Sequence, residues 1–271
     1  MKATRHLVTS AALLLAIVGA RLSLPGPRVN AEQLTEAAVA LARPDWHVHD
    51  SWVIETLTQR SQIRETTPAR ASARIRWEFT VGGIDKVAGR DCYRIEIQCL
   101  AEGGLKPATK IWCDQETLFI RQFQTSMPGA GRQWLIQESY ETPADQLAPV
   151  LAPLTAIPLG LPAFVQKEAK SSGEFTYTSQ ALPAESKDLN LLRFAHTTKQ
   201  TVRQPGAKSL QQVPAVFAKD LEQKPVREVE LTDQQQTIIQ LWQQDSPWPV
   251  YANNGVTEAW LVSRNDASAN R

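Results

Sequence analysis

The sequence predicts a mainly β, α+β fold: a curved antiparallel meander sheet with an N-terminal helix and a Pro-rich crossing, and further antiparallel strands in the C-terminal half. Three observations carry this. Ile75, Trp77, Phe79 and Val81 alternate with Arg74, Arg76, Glu78 and Thr80, and Tyr93, Ile95, Ile97 and Cys99 alternate with Cys92, Arg94, Glu96 and Gln98. Successive side chains of a strand point to opposite faces, so each arm has one apolar and one charged face, as in a sheet packed on one side and wet on the other. The 17 prolines argue against a mainly helical chain.

The elements follow in order. Leu34, Ala37, Ala38 and Leu41 recur at helical spacing, which predicts a helix over Ala31–Arg43 that Pro44 ends. Ser51–Gln59 reads as the first strand, with Trp52, Ile54 and Thr56 on one face. The second starts near Ala73, and Gly82-Gly83 suggests a bulge within it. Ala88-Gly89-Arg90-Asp91 is a turn in which Gly89 is free to take positive φ. Strands are expected at Cys92–Ala101, Lys110–Asp114, Leu118–Gln124 and Gln133–Glu141.

Thr142–Pro162 is the crossing, rich in Ala, Leu and Pro. It reads as an apolar plug over the open side of the sheet, with a lid over a cavity as the alternative. Beyond it, strands are expected at Glu174–Ser179, Leu191–Val202, Val226–Leu231 and Thr237–Gln243, with a polar loop over Gln204–Val213. Asn254-Gly255 signals a two-residue hairpin turn. The expected regions are 32–162, a meander with its N-terminal helix; 163–265, a β-rich region packed on the first; and 266–271, a tail.

Residues 1–31 read as a secretory signal. Lys2, Arg5 and His6 precede the apolar run Leu7–Ala20, which is short for a membrane span. Small-residue cleavage sites fall after Ala31 and, alternatively, after Ala20; an uncleaved anchor is the other reading. Loss of residues 1–31 removes Lys2, Arg5, Arg21 and Arg28 and no acid, so the formal charge moves from +1 to −3. A periplasmic or extracellular protein with no membrane span after cleavage and no nucleic-acid partner is expected.

Export would permit disulfides. A hairpin turning near Lys106 would set Cys99 opposite Cys113, and closing that loop would contribute roughly 3 kcal/mol; Cys92 would be left over, and three reduced thiols are the alternative. Neither the Cys spacing nor the His47-Val48-His49-Asp50 stretch matches a metal site, so no metal is expected. The sequence has no G-x-S-x-G and no Gly-rich phosphate loop, so a non-enzymatic role without cofactor is expected, with a hydrolase of unrecognised site as a further alternative. The eight tryptophans offer two settings. Trp77, Phe79, Tyr93, Ile95 and Ile97 share the apolar face and are candidates to line a cavity. Trp112, which alternates out of phase with Ile111 and Cys113, and Trp248 and Tyr251 beside prolines, are candidates for a surface aromatic patch.

A basic, apolar N-terminus, a helix, a six-strand meander and a Gly-containing turn before Asp91-Cys92-Tyr93-Arg94-Ile95-Glu96-Ile97 together resemble the periplasmic half-barrel proteins of the LolA/LolB type, over about Ala31–Pro162. The resemblance implies a curved sheet wrapped around an apolar cavity that binds acyl chains. It assigns no residue a role. The function expected is an exported cell-envelope protein that binds a lipid or other apolar ligand in its sheet. The alternative is a secreted interaction or scaffold module with no ligand cavity, whose partner would be an envelope protein.

Overall fold

A computed structural model describes residues 43–58, 74–101, 108–129, 132–142, 150–151, 157–164, 170–183, 192–213, 215, 224–234 and 236–265. The signal, nearly all of the Ala31–Arg43 helix and the tail lie outside them. Among the described residues there are fourteen strands: β1 (Ser51–Thr58), β2 (Arg74–Val87), β3 (Arg90–Cys99), β4 (Ala108–Asp114), β5 (Ile120–Gly129), β6 (Arg132–Glu141), β7 (Val150–Leu151), β8 (Gly160–Leu161), β9 (Lys170–Pro183), β10 (Leu192–Arg203), β11 (Val226–Thr232), β12 (Thr237–Gln243), β13 (Tyr251–Asn253) and β14 (Thr257–Asn265). A four-residue helix, α1 (Ala207–Leu210), interrupts the stretch expected as polar loop. Among the described residues no helix is long and apolar enough to cross a membrane.

The expected meander is present as β1–β6, each strand antiparallel to the next. It does not stay open. β6 pairs with β9, β9–β14 form a second six-strand meander, and β14 returns to pair with β1, which closes the barrel. The regions on either side of residue 162 therefore share one sheet. Closure removes the two free edges that an isolated meander would present, with their unpaired N–H and C=O groups.

Facing residues define the inner wall. Trp52, Phe79, Ile97, Thr109, Thr125 and Ile136 stand side by side across β1–β6. Val202 faces Val229, which faces Gln240, on the far wall. The outer face of β1–β4 is charged. Glu55 pairs with Arg74 at 2.6 Å and Arg76 at 3.1 Å, and Arg94 binds Asp85 at 3.0 Å. Those strands thus face water, unlike the apolar outward band of a membrane barrel.

Local chemistry fixes the registers. The bulge expected at Gly82-Gly83 appears as a register shift between Val81 and Gly83. A Cβ on Gly82 would lie 3.2 Å from the Glu96 carboxyl carbon, and the Gly82 carbonyl accepts from Arg94 Nη2 at 3.0 Å. Ala88 and Gly89 form the tight turn, with φ of 48° and 78°. The second hairpin turns one residue later than expected. Asn254 N–H bonds the Thr257 carbonyl, which leaves Gly255 and Val256 in the bend, and Asn254 Oδ1 accepts from both Val256 and Thr257 N–H.

The Cys99–Cys113 bridge is not formed; all three thiols are free. Tyr93, not Cys99, faces Cys113, because Ile95 pairs with Ile111 and Ile97 with Thr109. Matching these apolar rows sets a different β3–β4 register from the one a turn at Lys106 would impose. Cys99 then lies six residues along β3 from the position opposite Cys113, roughly 20 Å at strand rise.

Candidate functional site

A barrel of eight strands is just wide enough for its own wall side chains to fill, and diameter grows with strand number. Twelve strands therefore enclose more space than the wall occupies. Two chain segments enter it, and they define the candidate site together with the inner face of β2 and β3.

The first segment covers one end. Residues 43–50 lead into β1 through a turn at His47–Asp50. His47 N–H donates to Asp50 Oδ2 at 2.7 Å, Asp50 N–H to the His47 carbonyl at 3.0 Å, and His49 adopts φ 78°. His49 N–H and the Asp50 carbonyl both bond to the Val81 backbone, at 2.8 and 2.9 Å. The HVHD stretch is thus a turn clamped to β2, and among the described residues no group of three His, Cys, Asp or Glu could hold a metal. The turn delivers Trp46 into an aromatic cluster. Trp46 stacks on Trp52 and Trp248, Trp52 stacks on Phe79 and Trp248, and Tyr93 meets Trp46 edge-on at 5.8 Å. Trp46 Nε1–H donates to the Pro247 carbonyl at 2.8 Å, tying this segment to the connection between β12 and β13. Trp52 Nε1–H is buried without a hydrogen-bond partner.

The second segment is the Pro-rich crossing. β7 and β8 pair as a short ribbon, and residues 157–164 are buried throughout. Two glutamines of the inner wall grip its backbone. Gln200 accepts from Ala163 N–H at 2.8 Å and donates to the Ala163 carbonyl at 3.2 Å. Gln240 donates to the Gly160 carbonyl at 2.7 Å and accepts from Trp242 Nε1–H at 2.8 Å. Phe164 meets Trp242 edge-on at 5.2 Å. These bonds satisfy peptide groups that burial would otherwise leave unpaired.

Of the expected cavity residues, Phe79, Ile95 and Ile97 are fully buried on the inner wall, Trp77 is nearly so, and Tyr93 is half-buried. Trp77 Nε1–H bonds Thr56 Oγ1 at 2.9 Å. The surface aromatic candidates are corrected. Trp248 is 2% exposed and Tyr251 5%, and neither offers a patch. The prolines flanking Trp248 aim it into the barrel end, where Phe79 lies 5.0 Å from its ring. Trp112 does point outward, as its phase requires, but it is only 9% exposed. Its indole N–H donates to Asp85 Oδ2 at 2.9 Å. That bond, ahead of the Arg94 guanidinium, holds the Asp85 carboxyl below its usual range.

Sequence reasoning missed the polar part of the inner wall. Glu138 and Tyr140 are buried beside each other and hydrogen-bonded. Glu138 faces Phe123 in the register, while the Thr109 and Thr125 hydroxyls bond each other nearby on the same wall. The alternation Trp134, Ile136, Glu138, Tyr140 carried the signal: an acid in phase with apolar neighbours. The interior is therefore apolar along β2 and β3 and mixed along β6, β10 and β12.

No family model, curated protein or solved structure matches this chain.

Proposed function

We propose that the protein is an exported, non-enzymatic cell-envelope component, periplasmic or extracellular, that holds a lipid or other amphipathic ligand inside its ring of strands. One observation carries the reading: twelve paired strands close into a ring whose β1–β3 wall turns Trp52, Phe79 and Ile97 inward, around more space than wall side chains fill. The charged outer face suits a body surrounded by water that keeps apolar chemistry inside. Glu138 and Tyr140, set among apolar neighbours, put polar groups on the inner wall on the side where a headgroup would be held. The basic, apolar N-terminus supports export, and the resemblance to LolA/LolB-type half-barrels belongs to the same proposal.

A scaffold with a filled interior is the second reading, favoured by the burial of Trp46, Trp248 and residues 157–164. The aromatic patch through which that scaffold was expected to capture a partner is not exposed, which weakens it. Titration with a fluorescent fatty acid separates the two. The proposal predicts saturable uptake, competed by unlabelled lauric acid and lost in a folded Ile97→Glu variant. Uptake that never saturates, or that Ile97→Glu leaves unchanged, would reject it.

A further inference from the structure

We infer that residues 157–164 are an autoinhibitory strap, latched inside the barrel by Gln200 and Gln240, that competes with the ligand for the interior. The inference rests on the ligand-binding reading above and adds what controls access to that site.

The strap presents Ile157, Leu159, Leu161 and Phe164, all buried, to the same enclosed space that the apolar wall surrounds. An apolar ligand entering that space replaces one set of apolar contacts by another, so burial alone favours neither occupant strongly. The polar contacts of Gly160 and Ala163 break the tie. Gln200 pairs with both peptide groups of Ala163, at 2.8 and 3.2 Å, and Gln240 reaches the Gly160 carbonyl at 2.7 Å. A hydrocarbon chain cannot reproduce these three bonds. The grip is placed on the backbone by neutral side chains and involves no disulfide, since the three cysteines are free. Opening therefore breaks only hydrogen bonds and apolar contacts, and the wall amides are then free for a ligand that carries an acceptor of its own, such as an ester or amide carbonyl. Gln240 is in turn oriented by Trp242 Nε1–H, and Trp242 packs on Phe164. The latch and the apolar contact are thus one unit.

Two measurements on the full mature chain test the strap. In native-state hydrogen exchange, the Ala163 amide should exchange through a local opening, faster than the Ile95 amide in the β2–β3–β4 wall. Gln200→Met and, as a milder second variant, Gln240→Met should speed Ala163 exchange by several-fold to about tenfold, the loss of one or two net hydrogen bonds. Ile95 should be unaffected. Exchange at Ala163 that tracks Ile95 in the wild type and in both variants would overturn the latch. Binding of N-phenyl-1-naphthylamine should then strengthen by a similar factor in the variants, because the apparent affinity rises with the open fraction. Weaker or unchanged binding despite faster exchange would overturn the competition. No binding by wild type or variants, with the strap shown open by exchange, would remove the ligand reading itself.

Discussion

Trp248 lies between Pro247 and Pro249, a setting that reads as an exposed turn, yet it is sealed among Trp46, Trp52, Phe79 and Trp242. Its role is therefore measurable as stability. Trp248→Ala should cost about 3–5 kcal/mol in urea unfolding, the range for a buried aromatic cut to Ala. A surface residue would cost less than about 0.5 kcal/mol. Trp46 and Trp52 allow a finer comparison. Trp46 Nε1–H has an acceptor and Trp52 Nε1–H has none, so Trp46→Phe should destabilise by about 1 kcal/mol more than Trp52→Phe. The thiols differ in the same way. Burial, with the neighbouring Asp114 carboxylate, pushes Cys92 up to about 11, and burial raises Cys113 further from reactivity. Ellman's reagent at pH 8 should therefore label the half-buried Cys99 first, and Cys92 and Cys113 only on unfolding. Equal rates for all three would contradict the burial described.

Among the described residues, Asp114, Glu228 and Asp85, together with Glu55 under its Arg74 hydrogen bond, give the elements their pH dependence. Burial raises Asp114, but backbone N–H bonds from Thr117 and Glu116, with Arg121, outweigh it and leave it below the usual range. Burial likewise raises Glu228, and the Ser209 hydroxyl and Arg203 bring it below normal; these bonds fasten the α1 segment to the outside of β11. Asp85, lowered by Trp112 and Arg94, ties the β2 bulge to β3 and β4. A folded-state value below the unfolded one adds stability that is full above the unfolded value and lost as pH falls through the folded one. Stability should therefore be flat near neutrality and fall below about pH 4. Asp114→Asn should lower neutral-pH stability and flatten that acid slope, as read from urea midpoints at pH 7 and pH 3. The β2–β3 turn was legible because Gly89 announces positive φ, but Ala88 at φ 48° was not. An L-residue there is strained, so Ala88→Gly should stabilise by up to about 1 kcal/mol and Gly89→Val should destabilise by a similar amount.

For the whole molecule, the six strands of the first meander were readable from period-two alternation, and most of the second from weaker alternation. Ring closure was not. Nothing in Ser51–Thr58 or Thr257–Asn265 taken separately says that they pair; both simply alternate, and pairing partners so far apart in the chain are set by how the full sheet curves. The crossing was readable as apolar and Pro-broken, and its place inside the barrel follows from Gln200 and Gln240, which look in sequence like ordinary polar strand residues. Closure has a direct consequence. Residues 32–162 alone would expose β1 and β6 as bare edges and lose the far wall, so this fragment should aggregate or stay unfolded by circular dichroism, whereas the chain from residue 32 to 265 should unfold in one step. The central claim is that the space inside the ring belongs to an amphipathic ligand. Native mass spectrometry of the protein purified from cell envelope without detergent tests it most directly. The account predicts a discrete added mass that organic extraction removes and that fragments as a lipid; a bare polypeptide mass in every such preparation would contradict it.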